Sequence, residues 1–371
     1  MKRVGWKECT LGDICKDIFA GGDVPKSVFS KEKTENCRIP VFSNGVENDG
    51  LYGYTDIPRV VEPCVTISGR GTIGHTVLRS TPFFPIIRLI AAIPKDDVDI
   101  RYFFYAVSNI HFKSTGVTIP QLTVPSVKSY RFCYPIDKSE QQRIVDELDL
   151  LSRIVELKNA QLRILEELTH SIFYEMFRDP VSNERGWDSE KMKIVAPQKN
   201  YSGHIPMQNG KQWLLNLDMV ESQTGQILEK VLLPPSEIGN STTTFNEENI
   251  LYSKLRPYLN KVVIPDEPGY CTSELVTLLP DKKKLNRIFL AYLLRSEFFV
   301  EYINMRVTGA KMPRVSMSDF REFKVILPPL TLQESFAGKI SAIERQKRLV
   351  KSSMLSAQDL LASRMDKYFN E

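Results

Sequence analysis

The chain has 371 residues, of which 42% are apolar and 25% are charged, with 49 basic side chains against 45 acidic ones. These proportions are typical of folded globular proteins and exclude wholesale disorder, and the length predicts two to three domains. The net charge of +4 is too small to identify a binding partner.

The sequence also disfavours secretion, a membrane-spanning segment and a scaffold built on paired cysteines. Lys2 and Arg3 are followed by polar residues rather than by an apolar segment, so no secretory signal is predicted. The apolar run at 83–93 is interrupted by Pro85 and Arg88 and is too short to span a membrane. The six cysteines form no C-x-x-C pair. We therefore predict a cytoplasmic protein with reduced thiols and no membrane partner.

Residues 1–138 have the pattern of a β-rich domain. Short apolar and β-branched runs alternate with turn signals such as Ser-Asn-Gly at 43–45, and one helix is predicted over 100–108. The strand-like runs of this segment include 64–68, 75–78 and 86–93.

Residues 69–74 read Gly-Arg-Gly-Thr-Ile-Gly and match the G-x-G-x-x-G fingerprint of dinucleotide-binding proteins. That fingerprint works because a helix follows it and directs its N terminus at the phosphates. Here the next residues, 75–85, are rich in β-branched residues and contain two prolines, so no helix is predicted. We expect a tight loop that presents Arg70 instead.

Residues 139–178 contain neither proline nor glycine and predict one helix of roughly 38 residues, about 57 Å long at 1.5 Å per residue. Ser139 and Gln142 have the spacing of a capping box at its start. Apolar residues recur at alternating steps of four and three, which is the heptad seam of a coiled coil. The apolar seam positions are Ile144, Leu148, Leu151, Val155, Leu162, Leu165, Ile172 and Met176.

Residues 179–330 predict a second β-rich domain, with one helix over 287–302. Its strand-like runs include 250–252, 261–264 and 275–279. The segment 252–261 interleaves cations with tyrosines, and the segment 306–324 holds five cations. Such segments suit a polyanion, because cations neutralise phosphates while Arg and Asn can read base edges. The alternative is a solvated basic surface.

An internal repeat relates the two halves of the chain. Residues 115–135 and 308–328 both carry Thr-Gly, then an apolar residue and proline, then a strand-like run, at an offset of 193. The last segment, 331–371, repeats the long helix, with Thr331 and Glu334 in capping-box spacing. Its apolar seam positions are Phe336, Ile340, Ile343, Val350, Met354, Ala357, Leu361 and Tyr368.

The two heptad seams most simply pair with each other. The first helix has a net charge of −3 and the last segment one of +2, so the two attract. A pseudo-two-fold relation between the halves would make the helices antiparallel. The alternative is that each helix packs only on its own β-rich domain. The predicted fold is α+β, with two β-rich domains separated by two long helices that form an antiparallel coiled coil.

Catalytic and metal-binding signatures are absent from the sequence. The four histidines are far apart and lack H-E-x-x-H spacing, and neither a P-loop nor a G-x-S-x-G motif occurs. Asp281 follows a proline, as in some nuclease motifs, but without a paired E-x-K. We therefore predict no catalytic residue and no metal site.

The ordered set of these features resembles the DNA specificity subunit of type I restriction-modification systems. The motifs that carry the resemblance are Gly5-Trp6, Leu11-Gly12-Asp13-Ile14, Ser68 to Gly74, the two Thr-Gly…Pro segments, and the helix entries Pro135…Glu140-Gln141 and Pro328-Pro329…Gln333-Glu334. The resemblance covers essentially the whole chain, although the second half lacks Leu-Gly-Asp-Ile at its start.

The resemblance implies two target recognition domains, 1–138 and 179–330, and two spacer helices, 139–178 and 331–371. Each domain would read one half of a split, asymmetric DNA site, and the chain itself would be non-catalytic and hold no cofactor. The implied partners are double-stranded DNA, two methyltransferase subunits that bind S-adenosylmethionine, and motor-nuclease subunits that use ATP and Mg. The alternatives are a coiled-coil scaffold for protein interactions and a stand-alone DNA-modifying enzyme.

The candidate DNA contacts are polar or cationic residues in turns and in the Thr-Gly segments. In the first domain they are Ser43, Asn44, Arg70, His75, Lys113, Thr115, Thr118 and Gln121. In the second domain they are Tyr201, Lys254, Arg256, Tyr258, Thr308, Lys311 and Arg314. For each residue the alternative is a surface position without a DNA contact.

Overall fold

A computed structural model describes residues 4–25, 28–113, 120–309 and 312–370 of the chain. The chain forms two compact units. Unit 1 comprises Met1–Asn159 and Ser352–Glu371, and unit 2 comprises Ala160–Lys351. Each unit therefore combines one β-rich segment with parts of both long helices.

Unit 1 is built around an antiparallel sheet. Its strands are β1 (Trp6–Thr10), β2 (Cys15–Ala20), β3 (Ile39–Phe42), β4 (Leu51–Thr55), β5 (Cys64–Ile67), β6 (Thr76–Arg79), β7 (Phe84–Pro85), β8 (Ile90–Pro94) and β9 (Arg131–Pro135). The main sheet has the order β2-β8-β5-β6. In a second sheet β3 lies between β4 and the parallel β7, and β1 pairs with β9 in a third.

The core of unit 1 forms where a short helix packs on this sheet. The helices are α1 (Leu11–Ile14), α2 (Ile100–Ser108), α3 (Val124–Lys128) and the long α4 (Lys138–Phe177), which continues into unit 2. Tyr102 and Phe103 of α2 are fully buried. Asp99 caps α2, because its carboxylate accepts the backbone N–H of Tyr102 at 2.9 Å. The helix predicted over 100–108 is confirmed.

Unit 2 contains a larger set of short strands. They are β10 (Ser189–Lys191), β11 (Gln212–Leu215), β12 (Val231–Leu233), β13 (Thr242–Phe245), β14 (Ile250–Ser253), β15 (Val262–Val263), β16 (Gly269–Thr272), β17 (Leu275–Leu278), β18 (Val307–Thr308), β19 (Arg314–Val315) and β20 (Lys324–Ile326). Two sheets have the orders β12-β11-β16-β13 and β15-β14-β17, and β10 pairs with β20 and β18 with β19. The helices are α5 (Met192–Val195), α6 (Arg287–Arg295), α7 (Glu297–Asn304), α8 (Met317–Glu322) and the long α9 (Leu330–Phe369), which continues into unit 1.

The internal repeat is also present in the fold. The central strand β5 pairs with β6 and β8 in unit 1, and β14 pairs with β15 and β17 in unit 2. In each unit a nine-residue helix follows, α2 or α6, and then a short helix, α3 or α8, and the last strand, β9 or β20. That last strand pairs with the first strand of the same unit. The two halves therefore share this ordered set of elements, and unit 2 has α7, β18 and β19 between α6 and α8.

The long helices pair in an antiparallel manner within each unit. In unit 1, Arg143 of α4 lies over the ring of Tyr368, and Glu147 forms an ion pair with Arg364 at 2.8 Å. In unit 2 the pairs are Glu166 with Lys347 and, further along α4, Phe173 with Phe336. Residue numbers thus rise along α4 as they fall along α9. The predicted antiparallel pairing is confirmed, and the alternative without helix pairing is wrong.

The heptad frame lies along the less exposed side of both helices. Every seam position named from the sequence is buried or partly buried. The seam also includes Lys347, which is only 5% exposed and forms ion pairs with Glu166 and Glu344. Hydrogen bonds from His170 and Lys347 lower the pKa of Glu166 to about 2. A buried cation in the seam is therefore matched by two carboxylates.

The predicted capping residues of the long helices are wrong. Helix α4 begins at Lys138, and the carboxylate of Asp137 accepts both the N–H and the hydroxyl of Ser139, at 2.9 and 2.6 Å. An anionic side chain is favoured there by the free N–H groups and the helix dipole. Helix α9 begins at Leu330, so Thr331 lies inside the first turn.

A buried glutamine follows each helix start. The side-chain oxygen of Gln141 accepts the backbone N–H of Asp99 at 2.7 Å, and its amide donates to the carbonyl of Pro135 at 2.9 Å. Gln333 makes the equivalent contacts in unit 2, accepting from Asn286 at 2.8 Å and donating to the carbonyl of Pro328 at 2.8 Å.

Two predicted elements are shorter than expected. The strand predicted over 86–93 begins only at Ile90, because a turn occupies 86–89. The helix predicted over 287–302 ends at Arg295, and a second helix starts after Ser296. The extended backbone of Ser296, at ψ 144°, separates them, and its hydroxyl accepts the N–H of Phe299 to cap the second helix.

The cysteines carry free thiols, and most are buried. Burial raises the pKa of Cys9, Cys15 and Cys64 to about 12 and that of Cys271 to about 11, so these thiols are protonated at neutral pH. No helix in the described part of the chain combines the length and apolar character needed to cross a membrane.

Candidate nucleic-acid interface

The glycine-rich segment of unit 1 forms the loop of the β5–β6 hairpin. The N–H of Ser68 donates to the carbonyl of His75 at 2.8 Å, and Gly71 and Gly74 have φ values of +71° and +84°. Those left-handed conformations favour glycine. Strand β6 follows directly, as expected for a tight loop. Arg70 is partly buried here, and its Nε has no hydrogen-bond partner among the described residues.

Asn44 braces this loop against a neighbouring turn. Its side-chain oxygen accepts the N–H of Gly69 at 2.8 Å, and its amide nitrogen donates to the carbonyl of Ile87. Its backbone carbonyl accepts the hydroxyl of Ser68 at 3.2 Å. Both ends of the side-chain amide are thus used inside the protein. Asn44 positions the loop, and its predicted contact with DNA stays a prediction.

The turn 86–89 has a strained backbone. Ile87 and Arg88 have φ values of 51° and 59°, which is rare for a β-branched residue. Their N–H groups donate to the carbonyls of Gly22 and Gly21, at 2.9 and 3.2 Å. The turn leaves Ile87 46% exposed and Arg88 also exposed.

Arg70 and Arg88 line one cavity of about 310 Å³, together with residues 21–24. Arg88 Nη1 donates to Gln121 Oε1 at 2.9 Å. We define the first loop cluster as loop 69–75, turn 86–89, residues 121–122 and Asn44. The structure therefore brings Asn44, Arg70, His75 and Gln121 together. Guanidinium and amide donors of this kind suit phosphates and guanine edges.

The remaining candidates of unit 1 lie around this cluster or outside the description. The hydroxyl of Ser43 donates to the carbonyl of Gly50 at 3.3 Å and closes a local loop. Lys113 is exposed, and its backbone N–H donates to Tyr130 Oη at 2.5 Å. Thr115 and Thr118 lie outside the described residues.

Unit 2 has a basic loop at the equivalent hairpin, between β14 and β15. Arg256 is exposed, and its N–H donates to the carbonyl of Pro313 at 2.7 Å. Arg314 Nη2 donates to Glu274 Oε1 at 3.1 Å, and the carbonyl of Glu274 accepts the N–H of Lys254 at 3.1 Å. We define the second loop cluster as loop 254–261, Glu274 and residues 312–315.

Other candidates of unit 2 border the second loop cluster. Tyr258 lies within it, 48% exposed, and Gln223 donates to its carbonyl at 3.0 Å. Thr308 faces Arg314 across the β18–β19 pair. Lys261 points inwards, donating to the carbonyl of Leu217 at 2.6 Å, and burial lowers its pKa. Lys311 lies outside the described residues.

Tyr201 is placed elsewhere in unit 2. Its N–H donates to the carbonyl of Thr244 on β13 at 3.1 Å, and the hydroxyl of Thr244 donates back to the carbonyl of Tyr201. Within the described ranges, the hydrogen bonds of the Tyr201 backbone go to β13 and not to the second loop cluster. The structure therefore does not group it with the other candidates.

Sequence reasoning missed two members of the clusters, Arg88 and Glu274. Arg88 lies in an apolar run that was predicted to be one strand, and Glu274 directly precedes β17. The signal available in both cases was a charged residue shortly before a buried strand. Over the residues that the structure describes, no group of three or more His, Cys, Asp or Glu is arranged to hold a metal ion.

Comparison with known proteins decides the family. The family model described as the type I restriction modification DNA specificity domain matches residues 3–167 and 235–353, which is most of the chain. The chain belongs to this DNA specificity family. The matched ranges include the loops of both clusters.

Named members of the family resemble the chain in parts or over its length. Two Mycoplasma pneumoniae chains named as type I specificity subunits are 36% and 34% identical to it over 171 and 173 residues. These alignments cover 42% and 44% of this chain, and 51% and 47% of the relatives, so the chain spans about half their length. The MjaIX specificity subunit of Methanocaldococcus jannaschii is 24% identical over 88% of this chain and 81% of its own.

Solved structures share the fold. The S subunit of a type I restriction-modification system from M. genitalium superposes with a TM-score of 0.63 and 15% identity, over 100% of this chain and 97% of that chain. A chain from a study of complex assembly in the type I system gives 0.56 and 14%, over 99% and 98%. At these identities the likeness concerns the fold alone, and it agrees with β-rich units joined to two long helices.

Proposed function

We propose that the chain is the non-catalytic specificity subunit of a type I restriction-modification complex and that it recognises a split, asymmetric site in double-stranded DNA. The observation that carries the proposal is the pair of loop clusters. Arg70 and Arg256 lie on equivalent hairpin loops of the two units, yet the residues around them differ. Two equivalent loops with different side chains suit two half-sites of different sequence.

The partners follow from family membership and form part of the same proposal. Two methyltransferase subunits supply S-adenosylmethionine and the methylation chemistry, and motor-nuclease subunits supply ATP- and Mg-dependent cleavage. This chain positions them on DNA and transfers no group itself. A subunit that acts on chromosomal DNA must share its compartment, and this supports the predicted cytoplasmic location.

The experiment uses the tagged full chain, recovered from its own cells with the subunits that remain bound. It is mixed with duplex DNA containing randomised positions, and the bound DNA is sequenced at low and high salt. We expect two short motifs at a fixed separation and an affinity that falls steeply with salt, because phosphate contacts release counterions. Recovery of the unselected pool would reject the proposal and favour a protein-interaction scaffold.

A further inference from the structure

The side chains of Arg88 and Gln121 form a hydrogen-bonded pair in the first loop cluster, and the strand register fixes where this pair lies. Strand β5 faces β8 in a register that pairs Thr66 with Ala91. Three residues before Ala91, Arg88 donates to Gln121 at 2.9 Å. Leu122, the residue after Gln121, donates its backbone N–H to the carbonyl of Gly69 at 2.9 Å. Gly69 lies three residues after Thr66. The pair therefore joins the turn before β8 to the segment that follows the first Thr-Gly motif.

Unit 2 repeats this arrangement with other side chains. Strand β14 faces β17 in a register that pairs Leu251 with Thr277. Three residues before Thr277, Glu274 accepts from Arg314 at 3.1 Å. Val315, the residue after Arg314, donates its backbone N–H to the carbonyl of Lys254 at 2.8 Å. Lys254 lies three residues after Leu251. The pairs Arg88–Gln121 and Glu274–Arg314 are thus structurally equivalent.

The chemistry of the two pairs is different. In unit 1 the turn carries the cation and its partner is a neutral amide, so the pair has a charge of +1. In unit 2 the turn carries a carboxylate and its partner is the cation, so the pair is neutral. The second carboxylate oxygen of Glu274 is buried and has no hydrogen-bond partner in the described part of the chain. A buried acceptor without a donor is unfavourable unless a ligand supplies one.

The turn of the first pair is held in place at an energetic cost. Ile87 and Arg88 both have left-handed backbone conformations, and Asn44 fixes the turn through the carbonyl of Ile87. Such conformations are energetically unfavourable and cluster at functional sites. A turn kept only to connect two strands would not need to present an exposed Ile87 and Arg88.

We propose that Arg88–Gln121 and Glu274–Arg314 are equivalent specificity-determining pairs, each contacting base edges in the half-site read by its own unit. The inference rests on the proposed function and assigns the reading positions within it. Guanidinium groups bond guanine O6 and N7, whereas a carboxylate accepts from the exocyclic amino group of cytosine. The half-site of unit 1 should therefore require guanine at one position, and that of unit 2 cytosine or adenine, whose exocyclic amino groups face the major groove.

The competing explanation is that each pair is a latch that only closes its loop cluster. The double variant Arg88→Glu with Gln121→Arg places the unit 2 pair in unit 1, so a latch is preserved while the base-reading chemistry changes. Specificity is measured by selection from randomised duplex DNA with the full chain and its bound subunits. We expect one position of one half-site to change its preferred base by about 5- to 150-fold, the range of one base contact. The other half-site should be unchanged.

A second variant keeps the inference testable if the double variant does not fold. In Glu274→Gln the amide oxygen still accepts from Arg314, but an NH2 donor replaces the second carboxylate oxygen. This variant should relax one position of the half-site read by unit 2. Glu322→Gln, which removes a carboxylate from a surface ion pair with Lys191, is the matched control and should leave both half-sites unchanged. Unchanged selection by a folded double variant and by Glu274→Gln would overturn the inference. Failure of the unmodified chain to select any sequence would instead reject the proposed function.

Discussion

Gln333 makes the same contacts in unit 2 that Gln141 makes in unit 1. Both side chains are 0% exposed. Each accepts the backbone N–H of the residue that caps the nine-residue helix and donates to the proline carbonyl before the long helix. The start of each long helix is thereby tied to the core of its own unit.

Replacing Gln141 by alanine should destabilise unit 1 by about 2–4 kcal/mol, because a buried N–H and buried carbonyls lose their partners. Gln142→Ala is the matched control, since that neighbouring side chain is exposed and bonds to Asp146 on the same helix. Denaturant unfolding followed by circular dichroism measures both variants. Equal midpoints for the two would contradict the anchoring role of Gln141.

Asn44→Asp should weaken recognition of the half-site read by unit 1. The new oxygen faces the carbonyl of Ile87 in place of a donor, which costs about 1–3 kcal/mol, and it adds a negative charge to the first loop cluster. Asn48→Asp is the control, because Asn48 is exposed and its left-handed conformation tolerates aspartate. Selection from randomised DNA should show loss at one half-site for Asn44→Asp and none for Asn48→Asp. Loss at both half-sites, or at neither, would contradict the bracing role.

Arg70→Ala and Arg256→Ala should each relax a different half-site, at a cost of about 1–3 kcal/mol in binding. The reason is that the two arginines lie on the equivalent hairpin loops of separate units. Lys283→Ala removes the same charge from an exposed turn away from the second loop cluster. Competition binding with DNA altered in one half-site distinguishes the variants. If both arginine variants keep the sequence preference of the unmodified chain, the loop assignment is wrong.

The carboxylate of Glu166 should make unit 2 sensitive to acid. Its pKa of about 2 lies below the ordinary value of 4.5, so its stabilisation is complete above pH 4.5 and is lost as the pH falls through about 2. Glu166→Gln should therefore be less stable than the unmodified chain at pH 7, by about 1–3 kcal/mol, and the difference should shrink between pH 4.5 and 2. The exposed neighbour Glu167→Gln is the control. A stability difference that is constant over that range would contradict the ion-pair assignment.

Much of the fold was predictable because its signals are local and periodic. The heptads of both long helices, the helix over 100–108 and the tight loop at 69–74 each depend on neighbouring residues alone. The capping prediction failed because Ser139 satisfied the motif, while the helix starts one residue before it and Asp137 accepts the N–H and the hydroxyl of Ser139 itself. The turn at 86–89 was hidden because its isoleucines and leucine have the composition of a strand.

The equivalence of the two loop clusters could not be read from the sequence. The repeat offset is 193 at the Thr-Gly motifs, but Arg88 and Glu274 are separated by 186 residues. The chain between this position and the Thr-Gly motif is longer in unit 2, where it includes α7, so a single offset does not align the two units. Only the strand registers reveal that Arg88 and Glu274 occupy the same position.

Methylation sequencing of the genome, with and without the gene for this chain, tests the central claim most directly. The proposed function predicts methylated adenines at a split, asymmetric motif in the unmodified cells. It also predicts that this methylation disappears when the chain is deleted and returns when it is supplied again. Identical methylated motifs in both strains would contradict the assignment of this chain as the subunit that selects the DNA site.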